Sequence, residues 1–226
     1  MKLEEVINKK ILTGIEIENE IKIAEKEGRM ADFSNRIISS FFVLKDQVKQ
    51  GINFENSEIK GQFFLGELYI EGDLILKNTK ISGSVYLANL KVEGNLNMEG
   101  LKSGGAINLV GAKIGNDLIA SQIKCKGFCS LARVQVGGNL ILDKSKIVTM
   151  ITQYDKMTVR GDLILEGAQV KNNLNIQSAQ IDGLLDLDEV NVGGELNLQG
   201  ANYKILEKED MVVNGKLTAN FEITDL

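Results

Sequence analysis

The stretch Gly72-Asp73-Leu74-Ile75-Leu76-Lys77-Asn78-Thr79-Lys80-Ile81-Ser82 is one copy of an eleven-residue unit that recurs through most of the chain. Residues 161–171, GDLILEGAQVK, are another, and the shared pattern is roughly Gly-x-Leu-x-Leu-x-x-Ala-x-Ile-x. With the glycine as position 1, the unit starts at Gln50, Gly61, Gly72, Gly83, Gly94, Gly105, Asn116, Gly127 and Gly138. It resumes at Gly161, Asn172, Gly183, Gly194 and Gly215. Residues 149–160 are twelve long and residues 205–214 ten long. Both place apolar residues just ahead of the next glycine, Met157 and Val159 in the first, Met211 and Val213 in the second. They read as degenerate copies, one residue long and one short, which gives sixteen units over residues 50–226.

Three structures use an eleven-residue period. A long α-helix completes about three turns in eleven residues. It would put positions 3 and 5 on opposite sides and carry a glycine per unit at a cost of about 1 kcal/mol each. A leucine-rich repeat needs one such strand in about 20–29 residues followed by a different segment, whereas here the next eleven residues repeat the strand pattern. A parallel β-helix, with two units per coil of about 22 residues, satisfies both constraints. Alternation at positions 3 and 5, and again at 8 and 10, is the period-two signal of short strands facing a core. Glycine at position 1 fits a corner where φ turns positive or backbones pack closely. The sequence thus predicts a mainly β solenoid of about eight coils.

The inward pairs alternate at spacings of five and six, as in Leu74, Thr79, Val85 and Leu90. Gly-Asp-Leu stands at 72–74 and 161–163, and Gly-Asn-Leu at 94–96 and 138–140. In these features residues 50–226 resemble the pentapeptide-repeat family, whose core motif is Ala-(Asp/Asn)-Leu. Here the period is eleven rather than ten, and Gly replaces the small Ala. The resemblance implies a single-stranded, right-handed parallel β-helix of quadrilateral section. Some members of that family mimic duplex DNA and inhibit topoisomerases, but a motif describing only the core assigns no role to outward side chains.

Residues 1–49 lack the repeat and are predicted to form a helical capping segment. Leu3, Val6, Ile7 and Ile11 have helical spacing, Ile15 and Ile17 alternate briefly, and residues 19–27 form a charged helix. Asp32 or Ser34 would cap a further helix carrying Ile37, Ile38, Phe41, Phe42 and Leu44. Its apolar face would cover the first coil near Ile52 and Phe54, because solenoids must protect exposed strand edges. The last unit carries Phe221 and Ile223 out of phase, so the C-terminal end either caps itself or is an association edge.

The composition excludes several function classes. The chain has no His, which removes the usual general base at neutral pH and the commonest metal ligand. No Pro interrupts the strands. The formal charge is −5, and residues 1–49 balance nine acids against nine bases, so the excess lies in the repeats. An acidic solenoid is a poor phosphate neutraliser, and nucleic acid is not an expected partner. No apolar run approaches the roughly 18 residues of a spanning helix, and Met-Lys-Leu-Glu-Glu does not open a secretory signal. The expectation is a cytoplasmic protein without cofactor, metal site or catalytic residues. Cys125 and Cys129 fall at inward positions 10 and 3 and read as reduced core thiols.

Splitting alternate units predicts two opposed outward faces. One carries Asp73-Ile75-Lys77, Asn95-Asn97-Glu99, Asp117-Ile119-Ser121, Asn139-Ile141-Asp143 and Asp162-Ile164-Glu166. Asp73, Asp117 and Asp162 would form an acidic row on it. The other carries Gln62-Phe64-Gly66, Ser84-Tyr86-Ala88, Ala106-Asn108-Val110, Phe128-Ser130-Ala132 and Asn173-Asn175-Gln177. It lacks charge, so Phe64, Tyr86, Asn108 and Ser130 form a candidate interaction face unless N-terminal helices lie along it. Lys80, Lys102, Lys124 and Lys146, spaced by 22, form a candidate anion stripe. The expected function is a non-enzymatic structural or interaction protein, presenting flat faces to a protein partner or to itself as a homo-oligomer. The alternatives are a polysaccharide-binding or -processing β-helix, a DNA-mimic topoisomerase inhibitor, and a polymer-forming scaffold.

Overall fold

A computed structural model describes residues 11–39, 41–42, 46–148, 150–151, 158–159 and 161–219. Four parallel sheets run along a solenoid, and each coil contributes one short strand to each sheet, except that the last coil meets the second sheet only through the bridge Gln180–Asn202. One coil consists of Asp73–Ile75, Lys80–Ile81, Val85–Tyr86 and Lys91–Val92, which belong to the first, second, third and fourth sheets in turn. The first sheet has nine strands and the other three have eight each, so there are about nine turns rather than the eight expected. At about 4.8 Å per strand the stack is about 38 Å tall.

The register stacks like on like. Ile52, Leu74, Leu96, Leu118 and Leu140 follow one another in adjacent strands of the first sheet, and all five are fully buried. Buried polar side chains are satisfied by the neighbouring coil's backbone: the Thr79 hydroxyl donates to the Phe54 carbonyl at 2.8 Å, and Ser145 donates to that of Ala120 at 2.8 Å. Such donation matters because an unpaired buried hydroxyl costs about 1–3 kcal/mol.

Two kinds of position make the corners. Position 7 holds the left-handed conformation, with φ near +55° at Asn56, Asn78, Asn89 and Lys144 and +68° at Gly100. Position 4 supports that turn: the Asn97, Asn108, Asn175 and Asn197 side chains each accept the N–H two residues on at 2.9–3.0 Å. Position 1 uses glycine mainly for close packing, and at Gly127 for a positive φ of +106°. A Cβ on Gly138 would overlap Asp117 Oδ1 and stand 3.0 Å from the Asn116 carbonyl carbon and oxygen.

The N-terminal segment departs from the predicted pair of helices. Among the described residues one helix, α1 (Gly14–Glu27), is present, opened by a Thr13/Glu16 capping box and closed by Gly28 at φ +66°. Its Ile17, Ile21 and Ala24 are buried in the common core, and it packs on the strand Ala31–Asp32 at the end of the first sheet. The second expected helix is instead a coil, with strands Ala31–Asp32, Ile37–Ile38, Phe41–Phe42 and Gln47–Val48 in the four sheets. Ala31 and Phe33 alternate ahead of Asn35 at φ +58°, and Phe33 stacks on Phe54 with ring centroids 5.2 Å apart. The period-two pattern therefore prevails over the helical spacing of Ile37, Ile38, Phe41 and Phe42. Ile11 stands in a strand, Ile11–Leu12, paired with Ile37–Ile38. Leu3, Val6, Ile7, Leu44, Met157, Phe221 and Ile223 lie outside the described residues.

The twelve-residue interruption is also corrected. Cys129 and Ser130 pair with Leu163 and Ile164, and Leu140 and Ile141 with Leu174 and Asn175. The step is 34 residues instead of 22, so residues 149–160 are an insertion and add no unit to the coil. Their Met150–Ile151 and Thr158–Val159 pair antiparallel with each other in a separate two-stranded sheet. Residues 205–214 behave as the short copy expected, with Ile205–Glu207 and Val212–Val213 in the third and fourth sheets at steps of 21.

Candidate functional site

The insertion changes which residues share a face. Asp162-Ile164-Glu166 continues the third sheet beside Phe128-Ser130-Ala132, and Asn173-Asn175-Gln177 continues the first beside Asn139-Ile141-Asp143. The expected Asp73–Asp117–Asp162 row therefore does not exist as a row. Asp73 and Asp117 lie two coils apart with Asn95 between them. Asp73 Oδ1 accepts the Asn95 backbone and side-chain N–H groups at 2.7 and 3.2 Å, and Asp117 Oδ1 does the same for Asn139 at 2.7 and 3.0 Å. These carboxylates tie successive coils together at a corner.

The third face divides into two halves. In its N-terminal half the register brings Phe64, Tyr86, Asn108 and Ser130 into one row. Phe64 is 49% exposed and stacks on Tyr86 with ring centroids 4.4 Å apart. Asn108 is half-buried and its carboxamide oxygen caps the turn at Val110. Ser130 departs from expectation, since it is buried at 6% exposure and presents little surface. Helix α1 sits on the first coil's end and leaves Phe64 half exposed.

The C-terminal half of the same face is acidic. Asp186, Asp188 and Glu207 bring one carboxylate oxygen each within 4.8 Å of one another. Asp186 is 9% exposed, and burial raises its pKa. Its Oδ1 accepts the Asp188 N–H, and Asp188 Oδ1 accepts that of Glu209 at 2.6 Å. The cluster depends on the short copy at residues 205–214, whose step of 21 sets Glu207 beside Asp186.

On the second face the lysine stripe is a true ladder. Glu58, Lys80, Lys102, Lys124, Lys146 and Gln180 are neighbours in consecutive strands. Lys80 pairs with Glu58 at 3.2 Å, and Lys60 is on the same carboxylate at 2.8 Å. Lys60, then burial and Lys80, set the Glu58 pKa, which is lowered overall. A recess of about 360 Å³ opens among Lys102, Lys124, Lys126, Lys146, Cys125 and Val148. Cys125 and Cys129 are free, buried thiols. Burial pushes Cys125 up to about 12 and Cys129 well above its usual value, so both are protonated at neutral pH.

The fourth face carries a groove of about 560 Å³ that sequence reasoning missed. Its floor includes Gly115, Gly137 and Gly193, and Lys113, Gln135, Gln169 and Asn191 rise beside it. The signal was present as glycine at position 11 of three units. Near its N-terminal end Lys91 sits 4.3 Å from the Tyr69 ring centroid and pairs with Glu93 at 2.8 Å.

No helix among the described residues is long and apolar enough to cross a membrane. No family model, curated protein or solved structure matches this chain.

Proposed function

We propose that the protein is a non-enzymatic interaction module that docks a protein partner, a second copy of itself included, on the N-terminal half of its third face. The observation that carries this reading is the stacked Phe64–Tyr86 pair standing on the outside of the sheet. Aromatic residues are the preferred anchors of protein interfaces, and the repeating core needs neither ring for its own packing. Four sheets per coil support the quadrilateral section that the pentapeptide-repeat resemblance implies. Light scattering across a wide concentration range tests self-docking. Wild-type protein should dimerise and Phe64→Glu should not; a strict monomer at the highest concentration removes the homo-oligomer reading. A protein partner would then have to lose binding on the same substitution.

A second reading, end-to-end assembly, rests on the C-terminal coil. Leu206, Val213 and Leu217 are only partly buried there, and Ile205 and Val212 are 46% and 49% exposed. The first coil's Ala31, Phe33, Ile38 and Val48 are essentially buried. Electron microscopy at high protein concentration distinguishes the two readings, since end-to-end assembly gives filaments and face docking gives discrete dimers.

A further inference from the structure

We propose that the recess on the second face binds a short oligophosphate chain, either free or as the tail of a nucleotide. The strands place Lys102, Lys124 and Lys146 in one column. Lys126 stands beside the middle member on the same strand, two residues on and so on the same side. All four are exposed. Other lysines hold acids: Lys77 pairs with Glu99, Lys91 with Glu93, and Lys80 with Glu58. Among the described residues, the four around the recess have no carboxylate partner, and their adjacent strands hold like charges together.

The geometry selects the ligand. Three ammonium groups one coil apart span about 9.6 Å, twice the strand spacing, and a chain of two or three linked phosphates matches that length. Lysine acts as a point charge with rotatable donors and suits the many oxygens of a phosphate chain. A carboxylate is better held by the flat guanidinium fork, and no arginine lines the recess. Val148 is the apolar side chain that lines the recess beside the lysines. The site lies on a different face from the Phe64–Tyr86 pair, so its test is independent of the docking proposal.

Calorimetric titration with inorganic tripolyphosphate, in dilute salt and at about 150 mM, is the test. Binding should be one-to-one and weaken at least about tenfold with added salt. The Lys124→Gln/Lys146→Gln double variant should bind at least about tenfold more weakly, whereas Lys113→Gln, on the fourth face, should bind as wild type does. Urea midpoints would show that all three proteins are equally folded. A nucleoside triphosphate run in parallel separates the two sources: equal affinity means only the phosphate chain is read, and tighter binding means the nucleoside also contributes. No heat with either probe overturns the proposal. So does an equal loss in Lys113→Gln, and so does an acidic peptide that binds the ladder while tripolyphosphate fails to displace it.

Discussion

Replacing Gly138 by Ala asks whether position 1 is reserved for close packing. The new methyl would collide with Asp117 Oδ1 and press on the Asn116 carbonyl. Asp117 can move aside only by releasing the Asn139 backbone and side-chain N–H groups, held at 2.7 and 3.0 Å. One backbone donor left partly buried and unpaired costs about 1–3 kcal/mol, and backbone displacement of the next coil adds about 1 kcal/mol. The expected loss is about 2–4 kcal/mol, read as a shifted urea midpoint or a melting temperature lower by roughly 4–16 °C. Gly100→Asn is the matched comparison. Gly100 has φ +68° at position 7, where Asn56 and Asn78 already stand with Asn78 Nδ2 donating to Asn56 Oδ1 at 3.3 Å. A Cβ there meets Asn78 Oδ1 at 2.5 Å but no backbone atom closer than 3.8 Å, so the Asn78 carboxamide must swing aside. With the new Asn extending the ladder, the net change should stay within about 1 kcal/mol. If Gly138→Ala is neutral, or Gly100→Asn is the more damaging of the two, the assignment of the two glycine roles is wrong.

Three further outcomes are expected. Deleting residues 149–160 should leave stability within about 1 kcal/mol, because the joined Ile147-Val148-Gly161-Asp162-Leu163 reproduces the corner Ile81-Ser82-Gly83-Ser84-Val85 and restores a step of 22; a large drop in the urea midpoint would show that the insertion supports the coil. Cys125 and Cys129 should resist thiol reagents at pH 8 in the folded protein and react on unfolding. Their folded pKa values are raised, so their stabilisation is complete below about pH 8.5 and is lost as pH rises beyond it; a rapid native-state reaction or flat alkaline stability would contradict this. Ile21→Ala removes a side chain 1% exposed between α1 and the first coil, and should cost roughly 2–4 kcal/mol in urea unfolding; a loss below about 0.5 kcal/mol would mean that α1 does not cap the core.

The parts of the fold that were legible are those the core dictates. Leu74, Leu96 and Leu118 sit at a fixed phase because every coil must fill the same layer, so the period, the parallel stacking and the lysine ladder followed from counting. Corners were less legible. Glycine at position 1 invited two explanations: close packing holds at Gly138 and positive φ at Gly127, while most left-handed turns lie at position 7, as at Asn56, Asn78 and Asn89. Residues 149–160 misled because Met157 and Val159 match the approach to Gly161, and alternation in a local hairpin looks like alternation in a coil. That single misreading moved Asp162 and Asn173 to the wrong faces, whereas the cluster of Asp186, Asp188 and Glu207 depends on the 21-residue step of the short copy. The first coil was hidden because Ile37, Ile38, Phe41 and Phe42 satisfy helical spacing as well as strand spacing. Burial of Ser130 depends on neighbouring coils in three dimensions, which a one-dimensional pattern does not encode, whereas the groove had a trace in glycine at position 11.

The central claim is the register across residues 149–160, because it decides which side chains share each face. The structure pairs Gln135 with Gln169 on the fourth sheet and Lys146 with Gln180 on the second. Reading the insertion as a repeat unit would instead stack Gln169 on Lys146. Adjacent parallel strands lie about 4.8 Å apart, within the span a disulfide closes. Paired cysteines in the exposed positions Gln135→Cys/Gln169→Cys and Lys146→Cys/Gln180→Cys should oxidise readily in the folded protein, and Lys146→Cys/Gln169→Cys should remain reduced. A cross-link in the third variant with none in the first two would contradict the register.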